Sequence, residues 1–157
     1  HGYRLRTVEA AVDVNAEQKT KLFKKASERM ITFKGLKVAI LGLTFKAGTD
    51  DLREAPSKDN VKLLLECGAD NIYAYDPVGE ENFKRLYPNE INYVETPEEA
   101  LKGANICFIF TEWGEIKAVK PEEYKKLMKT PLVYDGRNIY EVNDMKNAGI
   151  EYYSIGR

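Results

Sequence analysis

Between about Thr7 and Ile31 the apolar positions Val8, Ala11, Val12, Leu22, Phe23, Ala26 and Met30 recur at spacings of three and four, with no Pro or Gly among them. Residues so spaced share one face, and the pattern predicts a single long amphipathic helix. Asn15 and Lys19 interrupt the apolar line. That gap reads as solvent exposure, with contact to a ligand or a partner helix as the alternative. After Lys34-Gly35 short apolar runs alternate with helical stretches, as in a parallel sheet with crossover helices. Strands are expected at Lys37–Leu43, Ile72–Tyr75, Asn92–Val94, Asn105–Phe110, Leu132–Tyr134 and Tyr152–Ile155. Helices are expected near Ser57–Cys67, Glu80–Leu86, Pro97–Leu101, Pro121–Met128 and Val142–Ala148, three of them stopped by Gly68, Gly103 and Gly149. The expected fold class is α/β: an open, mainly parallel six-stranded sheet with helices on both faces, preceded by a long α-helix. No internal repeat or low-complexity tract divides it further.

Composition narrows the function. With 157 residues, 43% of them hydrophobic, the chain can bury roughly 70% of its unfolded surface in one core. Its 24 Lys and Arg nearly cancel 25 Asp and Glu. No overall basic field is therefore available for nucleic acid or an anionic membrane. The longest apolar run, Val38–Leu43, is far short of the ~20 residues that span a bilayer. The start, His1-Gly2-Tyr3-Arg4, lacks the pattern of a signal peptide and reads as an entry in mid-chain. Two cysteines, Cys67 and Cys107, are too few for a disulfide scaffold and fit a reducing cytoplasm. His1 is the only histidine, so no metal site and no Ser-His-Asp triad is expected.

In open parallel sheets ligands sit beyond the carboxyl ends of the strands. The loop after the first strand runs from Gly42 through Thr44-Phe45-Lys46 and Asp50-Asp51-Leu52-Arg53-Glu54 to Pro56-Ser57. A dinucleotide-binding loop would carry GxGxxG here, and none is present. Lys46 and Arg53 instead supply two cations near a helix start, an arrangement suited to phosphate. The alternative is that they are solvated charges paired with Asp50, Asp51 and Glu54. Asp76 stands at the tip of the second strand, where some nucleotide-binding sheets hold ribose. Its distance from Gly42 exceeds the usual spacing, which favours a structural role in the turn before Pro77. Trp113, after the fourth strand, reads as packing rather than as a platform for a base. Arg137 follows the fifth strand and Gly136, which allows close backbone approach, and is the better anion-binding candidate.

These segments resemble the UDP-glucose/GDP-mannose dehydrogenase family. The likeness rests on Gly42-Leu43-Thr44-Phe45-Lys46 with Thr49-Asp50-Asp51-Leu52-Arg53-Glu54-Ala55-Pro56-Ser57, on Thr111-Glu112-Trp113 and on Asp135-Gly136-Arg137, in order and in spacing. It extends over essentially the whole chain, and Thr111-Glu112-Trp113 is nearer the UDP-glucose members than those acting on N-acetylmannosamine or GDP-mannose. The resemblance implies a Rossmann-like fold, with residues 34–157 as the UDP-sugar-binding domain and residues 1–33 as the end of a central linker and dimerisation helix. It implies a two-step, four-electron oxidation of UDP-glucose to UDP-glucuronate with NAD, in a homodimer serving polysaccharide biosynthesis. Carried onto this sequence, Phe45, Lys46 and Arg137 would contact the nucleotide sugar. Arg53 would reach NAD, which is held mainly by an N-terminal half. The family's catalytic cysteine, in a Cys-Phe-Pro-Lys segment, and its GxGxxG half do not occur in these 157 residues. No catalytic residue is therefore assigned, and the chain alone is expected to be inactive. The competing expectation is a structural or oligomerisation element, pairing two chains through the apolar face of the Thr7–Ile31 helix.

Overall fold

The computed structural model describes residues 19–30 and 32–156. The strands form where the apolar runs lie: β1 Val38–Leu41, β2 Ile72–Tyr75, β3 Ile91–Tyr93, β4 Ile106–Ile109, β5 Leu132–Asp135 and β6 Glu151–Ser154. They make one sheet in the order β3-β2-β1-β4-β5-β6, and every pairing is parallel. The order reverses at β1, so the crevice between β1 and β4 is the switch point of this Rossmann-like sheet.

Side chains alternate across each strand. Val38 and Ile40 join one core with Phe108, Leu132 and Tyr134, while Ala39 and Leu41 join another with Cys107, Ile109 and Val133. Helix α1 (Lys21–Ser27) gives Leu22, Phe23 and Ala26 to the first core, and α2 (Pro56–Glu66) and α3 (Glu80–Leu86) add Val61, Leu64 and Phe83. The opposite face receives Leu101 from α4 (Pro97–Leu101), Ile116 from α5 (Gly114–Lys117), Tyr124 from α6 (Pro121–Leu127) and Met145 from α7 (Val142–Asn147). Helices thus cover both faces, as the residue pattern predicts.

The structure differs from that pattern at element ends and in the leading helix. β1 stops at Leu41 because Gly42 takes φ 91° and the next two N–H groups leave the ladder. β3 and β6 each lie one residue nearer the N-terminus than expected, and the four-residue α5 is too short to show a period. Gly68, Gly103 and Gly149 do follow helices at φ 90°, 73° and 83°.

The portion of the expected Thr7–Ile31 helix before Lys19 lies outside the described residues, Asn15 included. Within them, Thr20 (φ −100°, ψ 8°) stands outside helical geometry and α1 ends at Ser27. The chain turns there to bury Phe33 and to pair with the carbonyl of Cys67 at the end of α2, which accepts from Phe33 N and Thr32 Oγ1. Lys19 is not a solvated gap either: its ammonium pairs with Glu54, and its carbonyl accepts from Asn60 Nδ2 at 2.6 Å. The apolar face of α1 is correspondingly not free to pair two chains, since Leu22, Phe23 and Ala26 are buried against this domain's own sheet.

Candidate functional site at the carboxyl edge of the sheet

Loops after β1, β2, β4 and β5 meet at one edge, and a single carboxylate ties three of them together. Asp76, 3% exposed, accepts from the N–H groups of Leu43 (2.7 Å) and Thr44 (3.1 Å) and from the Trp113 indole (3.0 Å) through Oδ2. Its Oδ1 accepts from Val78 (2.9 Å) and Gly79 (2.7 Å). Asp76 therefore has the structural role that its spacing favours, and Trp113 is anchored rather than free. Thr111 Oγ1 donates to the Thr44 carbonyl at 2.7 Å, and Ser57 Oγ donates to that of Leu43 at 2.6 Å. A Cβ on Gly42 would stand 2.5 Å from Thr111 Cβ and 2.6 Å from its backbone N, so only glycine fits the crossing of β1 and β4.

This scaffold fixes the backbone that presents the first two candidates. Phe45 N–H donates to the Asp51 carbonyl at 2.8 Å, and the Lys46 carbonyl accepts from Thr44 Oγ1 at 3.1 Å. Both side chains are exposed, Phe45 at 41% although it is a large apolar group. The backbone of this segment is thus held while both side chains face solvent, as loop residues positioned by a rigid scaffold do.

Arg137 lies on the loop after β5, and β1 and β5 flank β4. Its N–H donates to Asp135 Oδ1 at 2.8 Å. Its guanidinium forms a fork with Glu112, Nε to Oε2 at 2.9 Å and Nη2 to Oε1 at 2.7 Å. Gly136 is crowded by its own domain rather than open to a ligand: a Cβ there would meet Leu22 Cδ1 at 2.8 Å and the Ile109 carbonyl at 3.1 Å. Arg137 lines a small cavity of ≈ 60 Å³ with Lys19, Leu22 and Phe110.

Arg53 stands apart. It opens onto a cleft of ≈ 610 Å³ that Thr49, Leu52, Lys58, Asn82 and Arg85 also line. Its side chain is 89% exposed and pairs with Asp51, Nη2 to Oδ2 at 3.0 Å, which holds the Asp51 carboxyl below its ordinary value. For this residue the pairing alternative describes the geometry. Phe45 and Lys46 follow β1 and Arg137 follows β5, at the carboxyl end of the same parallel sheet, whereas Arg53 and Arg137 border separate cavities. Glu112 and Asp135 stand in the segments that carry the resemblance, but their contacts to Arg137 and Tyr152 span 25 and 17 residues, and that of Asn60 to Phe23 spans 37, so local sequence does not reveal these pairings.

Cys107 is fully buried and burial pushes its thiol well up, which makes it a poor nucleophile. Among the described residues no three His, Cys, Asp or Glu side chains gather as a metal set, and no helix is long and apolar enough to cross a membrane.

Residues 39–142, from β1 to the start of α7, match the model of the UDP-glucose/GDP-mannose dehydrogenase family, UDP binding domain. The chain belongs to that family. It is 41% identical to the UDP-glucose 6-dehydrogenase YwqF of Bacillus subtilis over all of its own length and 35% of that protein's. A UDP-glucose 6-dehydrogenase of Rhizobium meliloti is 39% identical, again over 36% of its length. The chain therefore spans about a third of these relatives. Among solved structures it resembles a UDP-glucose dehydrogenase of Pyrobaculum islandicum (TM-score 0.74, 28% identity, 94% of this chain and 31% of that one). It also resembles an NDP-N-acetyl-D-galactosaminuronic acid dehydrogenase of Methanosarcina mazei (TM-score 0.78, 27% identity, 100% and 33%).

Proposed function

We propose that this chain is the nucleotide-sugar-binding part of an NAD-dependent UDP-glucose 6-dehydrogenase, with Phe45, Lys46 and Arg137 as its contacts to the ligand. The observation that carries the reading is the loop after β1. Asp76, Thr111 and Ser57 immobilise its backbone while Phe45 and Lys46 stay exposed at the switch point. Open α/β sheets bind ligands at that point, and a pre-ordered loop binds without the entropic cost of ordering it. The ammonium of the exposed Lys46 suits a diphosphate, and Phe45 offers an apolar face to a base or sugar.

In this reading the parent enzyme oxidises UDP-glucose to UDP-glucuronate for polysaccharide biosynthesis in the cytoplasm. Residues 1–33 belong to the end of its central linker and dimerisation region, of which α1 packs onto the UDP-sugar domain of residues 34–157, and Arg53 turns toward NAD held by another domain. The exposure of Arg53 on a cleft of ≈ 610 Å³ supports this last assignment, because Asp51 is a solvent-side partner that a ligand can replace. The chain by itself binds and does not turn over.

Calorimetry with UDP, UDP-glucose and GDP-mannose tests the proposal. The uridine ligands should bind and GDP-mannose should bind less tightly. Lys46→Ala should weaken UDP by roughly ten- to a hundredfold, the scale of one charged hydrogen bond. Absence of UDP binding at millimolar concentration, or a Lys46→Ala variant that binds as the parent does, refutes the reading.

A further inference from the structure

We propose that Glu112 is the positioning residue of Arg137, holding one edge of its guanidinium so that the other edge is presented to an anionic oxygen of the ligand. This rests on the reading of Arg137 as a ligand contact and assigns the partner that aims it. β4 and β5 pair with Ile109 opposite Asp135. Glu112, three residues past Ile109, and Arg137, two past Asp135, therefore leave the sheet side by side.

A guanidinium carries five N–H donors in a rigid plane: one on Nε and two on each Nη. Glu112 takes Nε at 2.9 Å and Nη2 at 2.7 Å, a two-point fork that fixes the plane as well as the position. Among the described residues no hydrogen bond engages Nη1. One N–H of Nη1 and the second N–H of Nη2 point the same way and form a second edge, which is the bidentate geometry that carboxylate or phosphate oxygens accept. The two side chains are 33% and 37% exposed, partly withdrawn from water, so the pair is less screened than a surface bridge and its free edge remains reachable.

The main chain is held as firmly. Arg137 N–H is bound by Asp135 Oδ1 at 2.8 Å. Asp135 Oδ2 in turn accepts from Ile139 N–H at 2.8 Å and the Tyr152 hydroxyl at 2.6 Å. One carboxylate thus locks the backbone and another orients the side chain, so Arg137 arrives at the ligand with little rotamer freedom left to lose.

The sign of one substitution separates this role from its rival. If Glu112 merely competed with the ligand for Arg137, neutralising it would relieve repulsion and strengthen UDP binding. If it positions Arg137, Glu112→Gln weakens binding, because an amide NH2 now faces one guanidinium N–H and the fork is broken. The expected loss for UDP, read by calorimetry on the 157-residue chain, is roughly tenfold. Glu112→Asp should also weaken UDP, being one methylene too short to reach both donors. Thermal melting of each variant shows that the fold is retained.

A double-mutant cycle completes the test. Arg137→Lys keeps a charge and has no second edge to orient, so adding Glu112→Gln to it should change UDP affinity by less than about twofold. Tighter or unchanged UDP binding in Glu112→Gln overturns the inference. So does an equal loss in both backgrounds, which would make Glu112 a general structural support. Failure of the parent chain to bind UDP is a different result, since it removes the ligand reading and this inference with it.

Discussion

Asp76→Asn is the substitution that probes the carboxyl edge most sharply, because it preserves shape and removes an acceptor. The carboxylate receives two backbone N–H groups and an indole N–H on Oδ2, and two further backbone N–H groups on Oδ1. An amide has one oxygen. Whichever way it turns, its NH2 must face either the pair from Val78 and Gly79 or the trio from Leu43, Thr44 and Trp113. The cheaper choice leaves two donors opposed, in a site where Asp76 is 3% exposed and Gly79 is buried. At ~1–3 kcal/mol for the buried Gly79 N–H left unpaired, less for the N–H of the exposed Val78, and with the remaining bonds losing their charge assistance, the cost is about 2–4 kcal/mol.

Urea unfolding followed by fluorescence or circular dichroism measures it, read as a lowered midpoint at constant slope. Amide exchange should accelerate first at Leu43, Thr44, Val78 and Gly79, since local opening of these loops precedes global unfolding. UDP affinity should fall as well, although Asp76 touches no ligand in this scheme, because the Phe45-Lys46 backbone loses its anchor. A loss below ~1 kcal/mol with unchanged exchange at those four amides would refute the account of Asp76 as the common tie.

Two other outcomes follow from the same packing. Gly42→Ala should destabilise by about 3 kcal/mol or more in the same urea assay, because its Cβ would lie 2.6 Å from the Thr111 backbone N at a φ of 91°, and neither can yield cheaply. The buried thiol of Cys107 and phenol of Tyr124 are both pushed well above their ordinary values of 9.0 and 10.0 by burial, so the native state holds their protons longer than the unfolded chain. Stability is then complete below pH 9 and declines as pH rises beyond it. A urea midpoint followed from pH 7 to pH 10.5 should show that decline, with Cys107→Ala delaying its onset toward pH 10.

What was legible in the sequence divides along physical lines. Strand cores and helix faces show in local periodicity, and Val38–Leu41 or Ile106–Ile109 can be read directly because burial on both faces demands a continuous apolar run. Strand ends are another matter: β1 stops where Asp76, more than thirty residues away, captures the next two amides. The same limit governs the site. Lys46, Arg53 and Arg137 were visible as cations on loops, and the Asp51–Arg53 pair is local enough to be foreseen. The Glu112–Arg137 fork is not, because it exists only once β4 and β5 are neighbours.

That dependence on topology also bears on whether the chain is a binding module or a pairing element. An oligomerisation helix needs an apolar face with nothing of its own to cover it. In α1 the face is already spent on intradomain packing: Leu22, Phe23 and Ala26 are buried, Phe23 N–H is held by Asn60 Oδ1 at 3.0 Å, and Lys25 reaches the Ser154 carbonyl at 2.6 Å. Lys19, just before it, grips Glu54 at the end of the β1 loop, and Leu22 closes the cavity beside Arg137. The helix thus braces both loops proposed to hold the ligand. The apolar face of α1 is therefore committed to the domain that carries the site, and a pairing surface built on that face would have to uncover Leu22, Phe23 and Ala26 and loosen the brace.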